Sequence, residues 1–108
     1  RVEAGPMTDA IPMPEPGSLE ERFERFHALN PHVFDSLRDL ALEMKANGHV
    51  HGGISMLYEV ARWQLTFRTT DPDFKLNNNY KPLYARKLMG EVPGLEGFFL
   101  LRERPTAT

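Results

Sequence analysis

Residues 30–48, NPHVFDSLRDLALEMKANG, carry the clearest helix pattern in the chain and decide its fold class. Asn30 is a favourable residue for capping a helix, and Pro31 suits the first helical position, where its missing N–H is not needed. Gly48 can end the helix in a left-handed conformation. One apolar stripe at helical spacing lies between them, formed by Val33, Phe34, Leu37, Leu40, Ala41 and Met44. The stretch therefore predicts an amphipathic helix that packs on a core.

The residues before this helix predict a shorter one. Ser18 is a good N-cap, and Glu21 follows it at the spacing of a capping box. Leu19, Phe23 and Phe26 are spaced so that they lie on one helical face. We expect this helix to pack its aromatic face against the next one.

Residues 54–68, ISMLYEVARWQLTFR, carry two apolar stripes and are predicted to form the central helix. The first stripe is Ile54, Leu57, Tyr58, Ala61 and Leu65, and the second is Met56, Val60, Trp63 and Phe67. A helix that is apolar on both sides is expected to be buried, so we expect Trp63 in the core. A strand over residues 63–69 is a weaker alternative, because its alternation extends over only a few residues.

Residues 74–89, FKLNNNYKPLYARKLM, predict a loop followed by a helix that begins at Tyr80. Asn79 can cap this helix, whereas Asn77 and Asn78 lie outside it and are expected to have no structural role. Pro82 falls in the first turn, where it is tolerated. At about 100° per residue, one face is apolar and should contact the core. That face consists of Tyr84, Ala85, Leu88 and Met89. Leu83, Arg86 and Lys87 point away from the core, and Lys81 lies at its edge. Together with the preceding amides Asn77 and Asn78 they form the candidate partner-binding surface.

This candidate surface has the residue types that nucleic-acid readers use. Asparagine can pair with adenine, and arginine or lysine can pair with guanine or phosphate. The structural alternative is that asparagine tolerates turn geometry and caps helices. We therefore expect a non-enzymatic nucleic-acid-binding or regulatory module, using the basic C-terminal third. The alternative is a protein–protein interaction module, such as a modulator of a host protein or a self-associating subunit.

The C-terminal residues 93–104, PGLEGFFLLRER, predict a last short helix in which Phe98, Phe99 and Leu101 pack back on the core. Two glycines weaken this prediction. The expected core aromatics are Phe23, Phe26, Phe34, Trp63, Phe67 and Phe98. The fold class is thus predicted to be all-α, a compact bundle of four to five short helices.

The domain organisation follows from the distribution of proline. Residues 1–17 are proline-rich and are expected to form a disordered tail, so that residues 18–104 make one helical domain.

The connection from residue 68 to residue 79 is too long for a tight helix-turn-helix, which needs a turn of about 3–4 residues. If the bundle is a helix-turn-helix, it must therefore be an expanded variant, which does not favour a groove-reading helix.

Composition limits the possible function classes. The 108 residues include no cysteine, which excludes disulfides and thiolate metal sites, and no apolar run reaches the length of a membrane helix. Net charge is −2, divided as −3 over residues 1–30, −2 over 31–74 and +3 over 75–108. An anionic partner would therefore meet the C-terminal third. With no signal-peptide pattern, a cytoplasmic protein that contacts no membrane is expected, and a homodimer is possible.

No motif in the chain predicts catalysis, a cofactor or a metal. His49 and His51 could share a metal in an extended loop, but the sequence supplies no obvious third ligand. Residues 71–79, DPDFKLNNN, resemble a calcium loop only loosely, because Lys75 occupies a ligand position and no closing glutamate follows. We therefore expect neither an enzyme nor a metalloprotein.

Several motifs together resemble a family of small proteins from bacteria and from their phages and prophages. They are NPHVFDSLRDLALEMKANG, ISMLYEVARW, TTDPDFKLNNNY, YARKLM and PGLEGFF, and the resemblance covers about residues 20–104. DFKLNNNY, followed by YAR, is the most specific part. The resemblance implies an intracellular and phage-related protein, and it transfers no catalytic residue, because the family has no established activity.

Overall fold

A computed structural model describes residues 17–100 as four α-helices joined by short connectors. The helices are α1 (Leu19–Leu29), α2 (Pro31–Ala46), α3 (Ile54–Arg68) and α4 (Lys81–Glu91), and one 3-10 turn, Asn78–Tyr80, directly precedes α4. The predicted all-α bundle is confirmed for this part of the chain. Most of the predicted tail (1–16) and the end of the predicted domain (101–104) lie outside the described residues.

The starts of α1 and α2 follow the sequence rules with one exception. Ser18 donates its N–H to Glu21 Oε1 at 2.8 Å, and the Glu21 N–H donates to Ser18 Oγ at 3.1 Å, which completes the predicted capping box. Pro31 occupies the first position of α2. Asn30 precedes it but does not cap α2, because its side-chain amide donates instead to the Phe26 carbonyl at 3.1 Å. Asn30 therefore closes the end of α1.

The core lies where α3 contacts both α2 and α4, with α1 against α2. Its helical members are Phe23 of α1, Val33, Leu37 and Ala41 of α2, Leu57, Tyr58, Ala61 and Leu65 of α3, and Tyr84, Ala85 and Leu88 of α4. On α2 and α4 these are residues of the predicted apolar faces. On α3 they all belong to the first of its two stripes.

The prediction that Trp63 and Phe67 lie in the core is wrong. Trp63 is 65% exposed and Phe67 is 73% exposed, while Phe26 and Phe34 are only partly buried. Because α2 and α4 both pack on the first stripe, most of the second stays exposed, and only Val60 in it is partly buried. The alternative strand over residues 63–69 does not form either, because α3 continues to Arg68.

The C-terminal segment is not the predicted helix. Gly94 and Gly97 have positive φ angles of 96° and 71°, and residues 92–100 form successive turns instead. Phe98 and Phe99 are nevertheless buried, as predicted. An isolated parallel bridge joins Phe99 to Gly52, so this segment closes one end of the bundle against the connector between α2 and α3.

Candidate interaction surfaces

The asparagine run before α4 is built around Asn77. Its side-chain Oδ1 accepts a hydrogen bond from the Asn79 N–H at 2.8 Å and caps the 3-10 turn. Its carbonyl accepts from the Tyr80 N–H at 3.0 Å and from the Tyr58 hydroxyl at 2.7 Å. The prediction that Asn79 is the cap and that Asn77 has no structural role is therefore wrong, because the 3-10 turn starts the helical backbone earlier than Tyr80.

Arg62 of α3 holds the same loop from the side. Its Nη2 donates to Asn78 Oδ1 at 2.6 Å and to the Leu76 carbonyl at 3.1 Å, and its Nη1 pairs with Glu59. The guanidinium also lies 5.5 Å from the centre of the Tyr58 ring. Asn78 therefore has a structural partner, contrary to prediction. No local pattern identifies Arg62, because its partners in the loop lie 14 and 16 residues away along the chain.

Lys87, a predicted binding residue, is engaged within the bundle. Its Nζ lies 3.0 Å from Glu91 Oε2 and 3.6 Å from Glu24 Oε1, and its side chain is only 18% exposed. The hydrogen bond to Glu91 raises the pKa of Lys87 above its ordinary value. Lys87 therefore joins α4 to α1, and its charge is largely neutralised by two carboxylates.

The remaining predicted binding residues differ in their solvent exposure and in their contacts with the bundle. Leu83 is partly buried and packs against the core, although the helical wheel predicted that it points away. Lys81 is also partly buried, with its Nζ 5.9 Å from the Tyr58 ring centre. Arg86 is exposed and makes no ion pair with another described residue. The six predicted residues therefore have different surroundings, since Lys81 lies beside Tyr58 of α3 and Lys87 beside Glu24 of α1. Arg86 is the exposed basic residue among them. Their role in binding a partner stays a prediction.

The largest exposed apolar feature on the described helices lies elsewhere, on α3. We call it the outer stripe, and it consists of Met56, Val60, Trp63 and Phe67. At about 100° per residue these four side chains fall within an arc of about 60°, on the opposite side of α3 from its core-facing residues. Met56 is 52% exposed, and the Trp63 and Phe67 rings contact each other edge to face, with centroids 4.8 Å apart.

Two surface grooves border the outer stripe. Trp63 and Phe67 line an open, mainly apolar groove of about 560 Å³ together with Glu59, Arg62 and Thr66. Met56 and Val60 line a second groove of about 220 Å³, between α3 and α2, whose other residues are Leu40, Glu43, Met44, Asn47, His49 and Leu57. The apolar surface is therefore continuous from the aromatic pair to the side of α2.

The candidate metal residues do not form a cluster. Among residues 17–100 there is no group of three histidine or acidic side chains placed to hold a metal ion. His49 and His51 are both exposed in the connector, and Asp71 Oδ1 accepts a hydrogen bond from the Asp73 N–H at 2.9 Å, which is a local turn contact. None of the described helices is long and apolar enough to cross a membrane.

Comparison with known proteins identifies no relative. No protein-family model matches the chain, and neither a curated protein nor a solved structure matches it at a significant level. The resemblance to bacterial and phage proteins stays an expectation. The function must therefore be inferred from the two surfaces described above.

Proposed function

We propose that the protein is a non-enzymatic protein-interaction module that binds its partner through the outer stripe of α3. The observation that carries the proposal is the exposure of Trp63 (65%) and Phe67 (73%), side by side on one helix. Tryptophan, phenylalanine and methionine are the residue types enriched at the centres of protein interfaces. Large apolar patches left in water are characteristic of such sites.

The size of the stripe is appropriate for a modest affinity. A large aromatic side chain can bury about 150–250 Å², so the four stripe residues offer on the order of 500 Å². At about 25 cal/mol per Å², its burial contributes on the order of 12 kcal/mol before the costs of association. Those costs are about 4–15 kcal/mol, so a partner that adds little else would bind weakly.

Nucleic-acid binding by the C-terminal third has less support. The side-chain oxygen of Asn77 accepts from the Asn79 N–H, and that of Asn78 accepts from Arg62 of α3. Lys87 is paired with two carboxylates. Each of these residues keeps N–H donors, but turning them to a nucleic acid would compete with contacts that hold the fold. Arg86 alone is a weak basis for a phosphate-binding surface, because affinity grows with the number of phosphates contacted.

A photocrosslinking experiment tests the proposal. Benzoylphenylalanine replaces Thr66, an exposed residue that borders the stripe, and the full chain is irradiated in a bacterial lysate with and without nuclease. We expect a protein adduct, to this chain or to another, that is insensitive to nuclease and is lost when Phe67→Glu is added. The matched control is Leu29→Glu, since Leu29 is 80% exposed on a different helix.

The opposite pattern would contradict the proposal. An adduct that persists in Phe67→Glu would show that the outer stripe is not the binding surface. Retention on nucleic acid that is lost in Arg86→Ala and that weakens steeply with salt would instead favour the C-terminal surface.

A further inference from the structure

We infer that the partner of the outer stripe is a second copy of this chain, bound by antiparallel pairing of the two α3 helices. This inference rests on the proposed function, because it specifies the partner for the same surface. It depends on three properties of the stripe: the symmetry of its spacing, the pairing of Glu59 with Arg62 at its border, and its area.

The spacing of the stripe suits a two-fold axis. Its residues follow one another at intervals of four, three and four, so the pattern is the same when read in either direction. In an antiparallel pair centred between Val60 and Trp63, the Trp63 ring of each copy faces Val60 of the other. Phe67 likewise faces Met56. Each ring thus meets a smaller or more flexible side chain, and the methionine sulfur can contact an aromatic ring favourably. A two-fold interface requires this kind of self-complementarity.

The charged pair beside the stripe is also compatible with packing against a second copy of the same surface. The Glu59 carboxylate at its border is already paired with Arg62, so it does not call for a basic group on the partner. Glu43 is the other acidic residue beside the stripe, and it lies across the groove on α2. Hydrogen bonding to Arg62 lowers the pKa of Glu59, consistent with that pairing. In the antiparallel arrangement Glu59 falls next to Thr66 of the other copy and not next to Glu59. The two Glu59 carboxylates are therefore not brought together in this arrangement.

The area matches a reversible dimer. Two outer stripes together offer on the order of 1,000 Å². Specific interfaces begin at about 1,000–1,200 Å², and the groove beside Met56 and Val60 extends the contact toward α2. Two outer stripes packed against each other therefore bury about the minimum area of a specific interface. We expect dissociation in the micromolar range, about 1–100 μM.

Sedimentation equilibrium together with the fluorescence of Trp63 tests the inference. Trp63 is the one tryptophan of the chain, so its emission and its quenching by iodide report directly on this surface. We expect a monomer–dimer equilibrium in which Trp63 becomes shielded as concentration rises. Phe67→Glu, which keeps the probe, should weaken association at least about tenfold, whereas Leu29→Glu should leave it unchanged.

Single-cysteine variants test the antiparallel orientation, because the chain contains no cysteine of its own. Val60→Cys lies close to the two-fold axis and should link to its equivalent through a short bis-maleimide. In the same geometry the two copies of residue 67 are separated by about 16 Å along the helices, so Phe67→Cys should link poorly. A parallel pair would link both variants, which would overturn the orientation.

The other outcomes separate this inference from the proposed function. A chain that is monomeric at every concentration, with Trp63 open to iodide, would overturn self-association but leave the stripe free for a different protein. A monomer with Trp63 shielded would mean that the chain covers its own stripe, which would overturn both proposals. A dimer unaffected by Phe67→Glu would show that the copies meet elsewhere.

Discussion

The Tyr58 hydroxyl of α3 donates a 2.7 Å hydrogen bond to the backbone carbonyl of Asn77, in the loop that leads into α4. Together with Arg62, which binds Asn78 and the Leu76 carbonyl, this bond fixes the loop to α3. The asparagine run is therefore part of the bundle's long-range framework, and local helix capping is only one of its functions.

Tyr58 and Tyr84 form a matched pair for testing that hydrogen bond. Both rings are fully buried, but the Tyr84 hydroxyl has no hydrogen-bond partner among the described residues. We expect Tyr58→Phe to lower the free energy of unfolding by about 1 kcal/mol, since it removes a made bond. Tyr84→Phe should be neutral or slightly stabilising, because it removes a hydroxyl that is buried without a partner. Urea unfolding of both variants measures the difference, and equal losses would argue against the framework role of Tyr58.

Gly52 and Gly53 are neighbours with opposite steric surroundings. A Cβ on Gly52 would lie 2.5 Å from the Phe98 ring, whereas a Cβ on Gly53 would have nothing within 4 Å. We expect Gly52→Ala to cost about 1–3 kcal/mol, as overpacking does. Gly53→Ala should cost less than about 1 kcal/mol. Thermal or urea unfolding measures both; if Gly52→Ala is as mild as its neighbour, the C-terminal segment does not pack on this connector as described.

Alanine substitutions at Asn77 and Asn79 test which of the two asparagines caps the start of the helical backbone. Asn77→Ala removes the acceptor for the Asn79 N–H and should lower stability by about 1 kcal/mol. Asn79 contributes its backbone N–H to that bond, so Asn79→Ala leaves it intact and should change stability by less than about 0.5 kcal/mol. The ranking is measured by urea unfolding of the two variants side by side. The reverse ranking would restore Asn79 as the cap.

Because Tyr58 and Tyr84 are buried, we expect the folded protein to lose stability at alkaline pH. Burial raises the pKa of both Tyr58 and Tyr84 above the ordinary value of about 10. Both hydroxyls therefore stay protonated in the folded protein at a pH where the unfolded chain has already ionised. Because the folded pKa is the raised one, stability is complete below about pH 10 and falls above it.

Urea midpoints measured from about pH 8 to about pH 11 check this loss, and Tyr58→Phe and Tyr84→Phe should each flatten the alkaline fall. A midpoint that does not change across this range would show that the two hydroxyls are open to water in the folded protein.

Local sequence patterns were sufficient to predict much of the fold. The capping box at Ser18, proline at the first position of α2 and the apolar face of α4 all depend on residues a few positions apart. Such patterns specify where a helix lies and which side of it is apolar. They correctly predicted an all-α bundle with Tyr84 and Leu88 in its core.

The same reasoning could not decide which of two apolar stripes on α3 is covered. Both stripes satisfy helical periodicity, and only the tertiary positions of α2 and α4 select the one that contains Tyr58 and Ala61. The contacts of Arg62 could not be predicted from local patterns either, because they join positions well separated along the chain. The second stripe, with its two aromatic residues, was the available sign that one face of α3 stays exposed.

The central claim is that Trp63 lies on an open surface and contributes little to the folding of the monomer. The most direct measurement is the free energy of unfolding of Trp63→Ala against the unsubstituted chain, in urea and at concentrations where the chain is monomeric. Because Trp63 is 65% exposed and contacts Phe67 on the same exposed surface, we predict a loss below about 1 kcal/mol. A loss of about 3–5 kcal/mol, the value for a buried large aromatic, would place Trp63 in the core and contradict the account.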